Sequence, residues 1–443
     1  MSSQDTDELT GIVRLASPGS LGASVAVSTK PKPWQRFAAF LGPGYLVATG
    51  YMDPGNWATS LAGGSQFGMS LLWVVVLSSL MAMVLQALAA RVGLATGRDL
   101  AQLCRAALPR PASIALWLVM EGAIVATDLA EVIGTAIGLQ LLFGLPLLVA
   151  LAITVLDVFL VLALQRSGFR KLEAFVIALM LVIAAAFGAE MLLASPNGAD
   201  VLGGLVPTTA LLHNPQMLYV AAGIIGATVM PHNLFLHTGI LQTRAIGPTA
   251  ADKREAIRFA IADSTIALCL ALLVNAAILI LAAAVFFASG HPEVAELPDA
   301  FRLIAPLLGA PVAATLFGVA LVACGLNSTI TATLAGQIIM EGFVQIRLSP
   351  PVRRLVTRLI AIGPALAVTY WAGEDSIGKL LIFSQVILSV ALPFAIVPLI
   401  WFAASRDRLG EFVAPQRTIV LAGLIGVLVM GLNVKLVWDA LAG

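Results

Sequence analysis

Two short stretches carry the residue types that could grip a cation in the middle of an apolar chain: Asp53-Pro54-Gly55-Asn56 and Ala227-Thr228-Val229-Met230-Pro231-His232-Asn233. Each lies inside an apolar segment long enough to cross a bilayer, and each holds a proline where an unbroken helix cannot easily keep one. A proline has no N–H for the carbonyl four residues back, so Pro54 frees the C=O of Gly50 and Pro231 frees that of Ala227. Around these two oxygens stand the Asp53 carboxylate, the Asn56 and Asn233 carboxamides, the Met230 thioether and the His232 imidazole. Together they read as a ligand set for a cation. Non-helical backbone at membrane depth is tolerated only where it is buried in protein or lines a water-filled cavity. The expectation is a chain that moves a divalent metal ion.

The elements that must position these residues are membrane spans. The chain has 443 residues, 59% of them hydrophobic and only 11% charged, against about 25% charged in soluble domains. The mean hydropathy of +0.97 fits a polytopic membrane protein with no separate soluble domain. The net charge of +1 and the scatter of basic residues over short loops give no basis for nucleic-acid binding. Cys104, Cys269 and Cys324 are far apart and odd in number, which points to apolar packing residues and away from a disulfide framework or a thiolate site. Residues 1 to about 34, rich in Ser, Ala, Gly and Thr, read as a disordered tail and not as a signal peptide.

Eleven apolar runs of spanning length follow, at roughly 37–66, 70–93, 113–138, 146–165, 172–194, 217–240, 260–288, 310–338, 354–372, 378–402 and 418–440. With that division, 22 of the 25 Lys and Arg residues fall on the side of the N-terminus, and only Arg302, Lys379 and Lys435 fall opposite. The asymmetry predicts a cytoplasmic N-terminus and a C-terminus outside. The two interrupted spans are the first and the sixth, so they run in opposite directions. Broken helices at matching places in two halves predict an inverted repeat of spans 1–5 and 6–10 with its site at the midplane, span 11 being an addition.

The eighth run adds Asn327-Ser328-Thr329, continuing through Thr333 to Gln337 and Met340-Glu341-Gly342-Phe343, and the tenth adds Ser384-Gln385-Val386. With the paired motifs of spans 1 and 6, the chain over about residues 35–440 resembles the Nramp family (natural resistance-associated macrophage proteins), most closely its bacterial proton-coupled manganese importers. The resemblance implies an all-α, LeuT-type five-plus-five fold in a bacterial-type inner membrane. It implies uptake of Mn²⁺ and Fe²⁺, with tolerance for Co²⁺, Cd²⁺ and Zn²⁺, driven by proton entry through alternating access. It also implies Asp53, Asn56, Met230 and the Ala227 carbonyl as metal ligands, with the Gly50 carbonyl and Gln385 joining in some states. No resident cofactor is implied; metal and proton are cargo.

The chemistry of these residues is compatible with that role. Asp53 supplies the charge that offsets desolvation of a dication, and doubles as a cap for the half-helix that follows. Met230 offers a soft donor that Mn²⁺, Fe²⁺ or Cd²⁺ accepts, whereas Mg²⁺ and Ca²⁺ prefer hard oxygens. Gln385 could equally be a packing amide between helices.

For protons, Glu121, Asp128 and Glu131 of the third span lie within about an 80° arc of one helix. Intramembrane acids are functional candidates by default. The expected route runs from Asp53 by Glu131 and Asp128 toward Glu121 and the arginines Arg353 and Arg354, with His232 beside the metal as a relay. His237 is a weaker candidate, and Asp157 has no motif partner. An enzyme is disfavoured by the absence of H-E-x-x-H and G-x-S-x-G and by Leu380 at the hydroxyl position of a near Walker A loop. A channel would not require two opposed broken helices. A transporter of Mg²⁺ or of an organic solute on the same architecture is the remaining alternative, against which Met230 and Asp53 argue.

Overall fold

The computed structural model describes residues 25–26, 32–157, 159, 163–164, 167–292, 294, 296–345, 350–373 and 376–442. The first span is broken as its proline requires. Helix α1 (Pro33–Phe40) is followed by α2 (Pro43–Gly50) and α3 (Pro54–Phe67), so the span proper begins at Pro43, several residues later than the hydropathy suggested. Next come α4 (Leu72–Thr96), the short α5 (Leu100–Ala107), α6 (Arg110–Phe143), α7 (Leu147–Ile153) and α8 (Phe169–Ala194). The second half opens, after the short α9 (Gly198–Gly204), with α10 (Pro215–Thr228) and α11 (Pro231–Ile240), the two pieces of the sixth span. It continues through α12 (Ala250–Ala282), α13 (Leu297–Leu308), α14 (Pro311–Val344), α15 (Pro350–Ala372), α16 (Ile377–Ala404), α17 (Arg406–Leu409) and α18 (Gln416–Ala442).

Among the described residues, eight stretches are long and apolar enough to span a membrane, one of them running from Pro54 through Thr96. Shorter apolar stretches, Leu147–Leu156 and Leu355–Trp371, stand at the expected fourth and ninth places. Most of the tail lies outside the described residues; Val25–Ala26 pair in parallel with Arg244–Ala245 just beyond α11.

The four half-helices sit at the centre. The stretch Pro215–Thr243 is 94% buried and is the least apolar of the eight, whereas the most lipid-exposed spans, Phe169–Ala194 and Gln416–Asp439, are clearly more apolar. Gly134 of α6 faces the Pro54 ring so closely that a Cβ there would overlap it, which seats α6 directly on the first break. Gly226 of α10 likewise abuts the backbone of Gln385 in α16.

Beneath α2, on the Arg-rich side, charged groups hold the chain where it turns between α1 and α2. Asp263 of α12 accepts from the amides of Gly44 (2.7 Å) and Gly42 (3.3 Å). Arg244 pairs with Glu173 of α8 at 2.6 Å and donates to the carbonyls of Phe40 and Leu41 at 3.1 and 3.2 Å. Arg244 and Glu173 are both buried in this clasp.

Candidate metal centre

The geometry follows from where the backbone groups freed by proline find partners. Asp53 is the N-cap of α3: its Oδ1 accepts from the Asn56 amide at 2.7 Å and from Asn56 Nδ2 at 2.8 Å. The same Nδ2 donates to the Ala227 carbonyl at 2.9 Å and to the Gly50 carbonyl at 3.4 Å. Both carbonyls singled out by the prolines therefore converge, with Asp53, on one donor nitrogen. Three oxygens, from the end of α2, the cap of α3 and α10, thus gather around a single electropositive side-chain nitrogen, an arrangement in which a cation could take the place of that nitrogen.

The other unwound carbonyls of the first break also find partners. Tyr51 C=O accepts from Asn275 Nδ2 of α12 at 2.7 Å, and Met52 C=O takes the Cys324 thiol of α14 at 2.6 Å. Cys324 is thus more than an apolar filler. Asn275 Nδ2 and Thr228 Oγ1 each donate to Asn56 Oδ1 at 3.4 Å, which ties the carboxamide to α12 and α10.

Met230, the residue before Pro231, is extended (φ −71°, ψ 127°) and fully buried. Its sulfur accepts from Asn233 Nδ2 at 3.5 Å, and that amide lies against Gly50 Cα, so the thioether is on the side of the first break. Gln385 reaches the first turn of α3, where its amide occupies the space a Cβ at Gly55 would take. Only glycine at 55 allows that approach. Asp53 Oδ2, Asn233 Oδ1 and Gln385 Oε1 are buried oxygens without a hydrogen-bond partner, the condition expected of groups that await a ligand. Asp53, Asn56, Ala227, Met230 and Gln385 are each no more than 1% exposed. Among the described residues no three His, Cys, Asp or Glu side chains cluster as a metal site; the constellation here is one carboxylate among neutral donors, suited to a dication that must also leave.

A second polar system begins beside the first. His232 Nδ1 is 3.4 Å from Thr127 Oγ1 of α6, next to Asp128. Glu121, on the Arg-rich side, pairs with Arg353 at 3.1 Å and accepts from Trp117 Nε1 at 2.9 Å. Glu131 meets an arginine that the sequence reading did not single out. Its partner is Arg358, at 3.9 Å and fully buried, with Thr329 Oγ1 donating to its carboxylate at 3.1 Å. Arg358 also closes on Asp157 and reaches the Asp128 carbonyl at 3.4 Å. Arg353 pairs with Glu121 at the end of the expected route, and the deeper acids Glu131 and Asp157 share Arg358. The Arg354 side chain lies outside what is described.

Sequence reasoning missed Arg358, taking it for a loop residue, and so left Asp157 without a partner. The available signal was an arginine well inside an apolar run, which is seldom placed there without an acid to meet it. His237, five residues beyond His232, turns to α4, where its Nδ1 lies 2.8 Å from Gln86 Oε1, and Gln86 in turn donates to Tyr51 Oη at 2.7 Å.

On the face opposite the clasp, a cavity of about 490 Å³ opens between α3, α10 and α16, lined by Gln66, Gln216, Tyr219, Glu296, Lys379 and Ile382. Its floor at Ile382 is one helical turn above Gln385.

Comparison with known proteins places the chain in a family. Residues 44–439 match the family described as Natural resistance-associated macrophage protein-like, Nramp. A protein of Agrobacterium fabrum named divalent metal cation transporter MntH is 58% identical over 417 residues, covering 94% of this chain and 90% of that one. The crystal structure of an Eremococcus coleocola manganese transporter, in complex with an aromatic bis-isothiourea substituted compound, superposes with a TM-score of 0.85 at 42% identity, covering 94% of this chain and 90% of that one. Mhp1, a nucleobase-cation-symport-1 family transporter, shares the fold at 15% identity, with a TM-score of 0.58 over 97% of this chain and 96% of its own. The match along nearly the whole chain, and the two broken helices that carry its motifs, establish that this multi-pass membrane protein belongs to the Nramp family.

Proposed function

We propose that this chain imports divalent transition metals, Mn²⁺ and Fe²⁺ before Co²⁺, Cd²⁺ and Zn²⁺, by alternating access coupled to proton entry. It is a transporter and not an enzyme. The observation that carries the reading is the convergence of Asp53 with the Gly50 and Ala227 carbonyls at the level of both helix breaks. The relatives' names, divalent metal cation transporter and manganese transporter, support the cargo class.

A metal ion descends the cavity between α3, α10 and α16, passes the turn between Ile382 and Gln385, and displaces the Asn56 amide nitrogen from the carbonyls. Asn56 then presents its oxygen, Met230 its sulfur, and Gln385 Oε1 a further neutral donor. The soft sulfur favours Mn²⁺ and Fe²⁺ over Mg²⁺ and Ca²⁺. Release on the cytoplasmic side requires α2 to leave the Asp263 and Arg244–Glu173 clasp.

Protons take the neighbouring acids: from Asp53 by His232 and Asp128, with Glu131 and Asp157 poised on Arg358, to Glu121 and Arg353. The Lys and Arg asymmetry supports a cytoplasmic N-terminus.

Proteoliposomes test each part. Mn²⁺ should quench an internal dye, excess Ca²⁺ should not compete, and the lumen should acidify as metal enters. Asp53→Ala should abolish uptake, whereas Asp128→Asn should leave metal entry and remove the linked acidification. Wild-type protein that carries no Mn²⁺ would end the reading, and undiminished acidification in Asp128→Asn would remove that residue from the route.

A further inference from the structure

Away from the transport site, an apolar groove of about 540 Å³ lies between α6, α16 and α18, lined on its three walls by Leu116 and Val119, by Phe394, Val397 and Trp401, and by Met430. Its shape has a local cause. Pro393 and Pro398 interrupt the hydrogen bonding of α16, and the Ser389 carbonyl that Pro393 frees accepts from Asn433 Nδ2 of α18 at 2.7 Å. Ser389 Oγ adds a second bond to Asn433 Oδ1 at 2.9 Å. Asn433 thus ties α18 to α16 at Ser389, and the groove runs from Pro393 and Met430 toward the Arg-rich side.

From Pro393 to Trp401 the groove covers about 12 Å of helix, most of the ~15 Å of hydrocarbon in one leaflet. Phe394, Val397 and Trp401 remain 51%, 57% and 48% exposed along it. At its open end the chemistry changes. The Arg408 guanidinium stands 5.7 Å from the Trp401 ring centroid and 5.1 Å from that of Phe402. Arg110, exposed, begins α6 two residues before the groove-lining Ala112. Arg406 and Asp407, both exposed, are the neighbouring charges. A slot of one leaflet's depth, dry along its length and ending on two exposed arginines, matches a molecule with an alkyl chain and an anionic head.

We propose that this groove is a binding site for an anionic phospholipid of the leaflet on the Arg-rich side. One acyl chain lies against α6, α16 and α18 with its tip below Asn433, and the phosphate is held between Arg408 and Arg110. Arg408 is fixed for this by its stacking on Trp401, which leaves its N–H groups free at the edge to bond a phosphate oxygen.

The test uses full-length protein purified in detergent, with retained lipid counted by native mass spectrometry and stability followed by thermal unfolding. Phosphatidylglycerol should be retained one per chain and about thirtyfold more strongly than phosphatidylcholine with the same acyl chains, as expected for two interfacial arginines. Arg110→Gln/Arg408→Gln should erase that preference, and Val397→Trp should reduce retention of both lipids by filling the slot. Inorganic phosphate alone should shift nothing. Equal retention of the two lipids by wild type, a preference that persists without the arginines, or stabilisation by phosphate alone would overturn the proposal. So would a dimer in light scattering that Val397→Trp dissociates, since the face would then belong to a second copy.

Discussion

Replacing Asn56 by alanine separates the carboxamide's contribution to the metal-free fold from its part in holding metal. The side-chain nitrogen bonds Asp53 Oδ1 at 2.8 Å, Ala227 C=O at 2.9 Å and Gly50 C=O at 3.4 Å. The three acceptors do not lose equally. Asp53 Oδ1 keeps the backbone amide of residue 56 at 2.7 Å, and Gly50 C=O keeps that of Asp53 at 3.4 Å. Ala227 C=O keeps no donor among the described residues, because Pro231 has none to give. The full penalty of an unsatisfied buried group, about 1–3 kcal/mol, therefore falls on Ala227, and about 1 kcal/mol more on the lost bond to Asp53. The sum is about 2–4 kcal/mol in the metal-free protein, read as a lower unfolding temperature or urea midpoint in detergent. Mn²⁺ at 100 times its Kd stabilises wild type by about 2.7 kcal/mol, and the variant, lacking one ligand, should require higher metal for the same gain. A metal-free Asn56→Ala protein within about 0.5 kcal/mol of wild type, the range of ordinary surface changes, would show that the carboxamide does not bridge the two breaks.

Met230→Ala should let Ca²⁺ compete with Mn²⁺ about tenfold better, a change of ~1.4 kcal/mol in relative affinity, measured by competition in the dye-quench assay. Arg358→Met leaves Asp157 and Glu131 facing each other without their shared cation and should cost about 3–5 kcal/mol; Asp157→Asn, with Glu131 still present to pair, should cost less, and thermal unfolding of the two variants gives the order. Gly134→Ala places a methyl where the Pro54 ring lies and should destabilise by about 1–3 kcal/mol while slowing Mn²⁺ uptake, whereas alanine at Gly122, with nothing within 4 Å of its Cβ position, should change neither.

Much of this molecule is legible in its sequence, because the strongest signals are local. Proline inside an apolar run fixes which carbonyl is released, and the release of Gly50 and Ala227 led directly to the pair that Asn56 bridges. Helical spacing also put Glu121, Asp128 and Glu131 on one face. What could not be read was pairing between distant spans. Arg358 looked like one more positive charge at the membrane edge, since charge counting does not distinguish an arginine in a loop from one facing acids in the interior. Arg244 was counted in the same way, yet it is buried against Glu173. Asn275 and Cys324 carry no motif; their task, donating hydrogen bonds to the Tyr51 and Met52 carbonyls, exists only once the first span is unwound. The start of the first span was misplaced because α1 is apolar enough to extend the run, and only the turn before Pro43 separates them.

In the proposed ligand set Asp53 is the single ionisable side chain, and this has an electrical consequence. Loaded with a dication the set carries one net positive charge; emptied, with the carboxylate bare, it carries one net negative charge. In a cell whose interior is negative, the field thus draws the loaded carrier inward and drives the emptied one back outward, each by up to about 2.3 kcal/mol per 100 mV. A proton riding on Asp53 during the return would cancel the second of these terms. The voltage dependence of the return stroke therefore reports the protonation of one side chain.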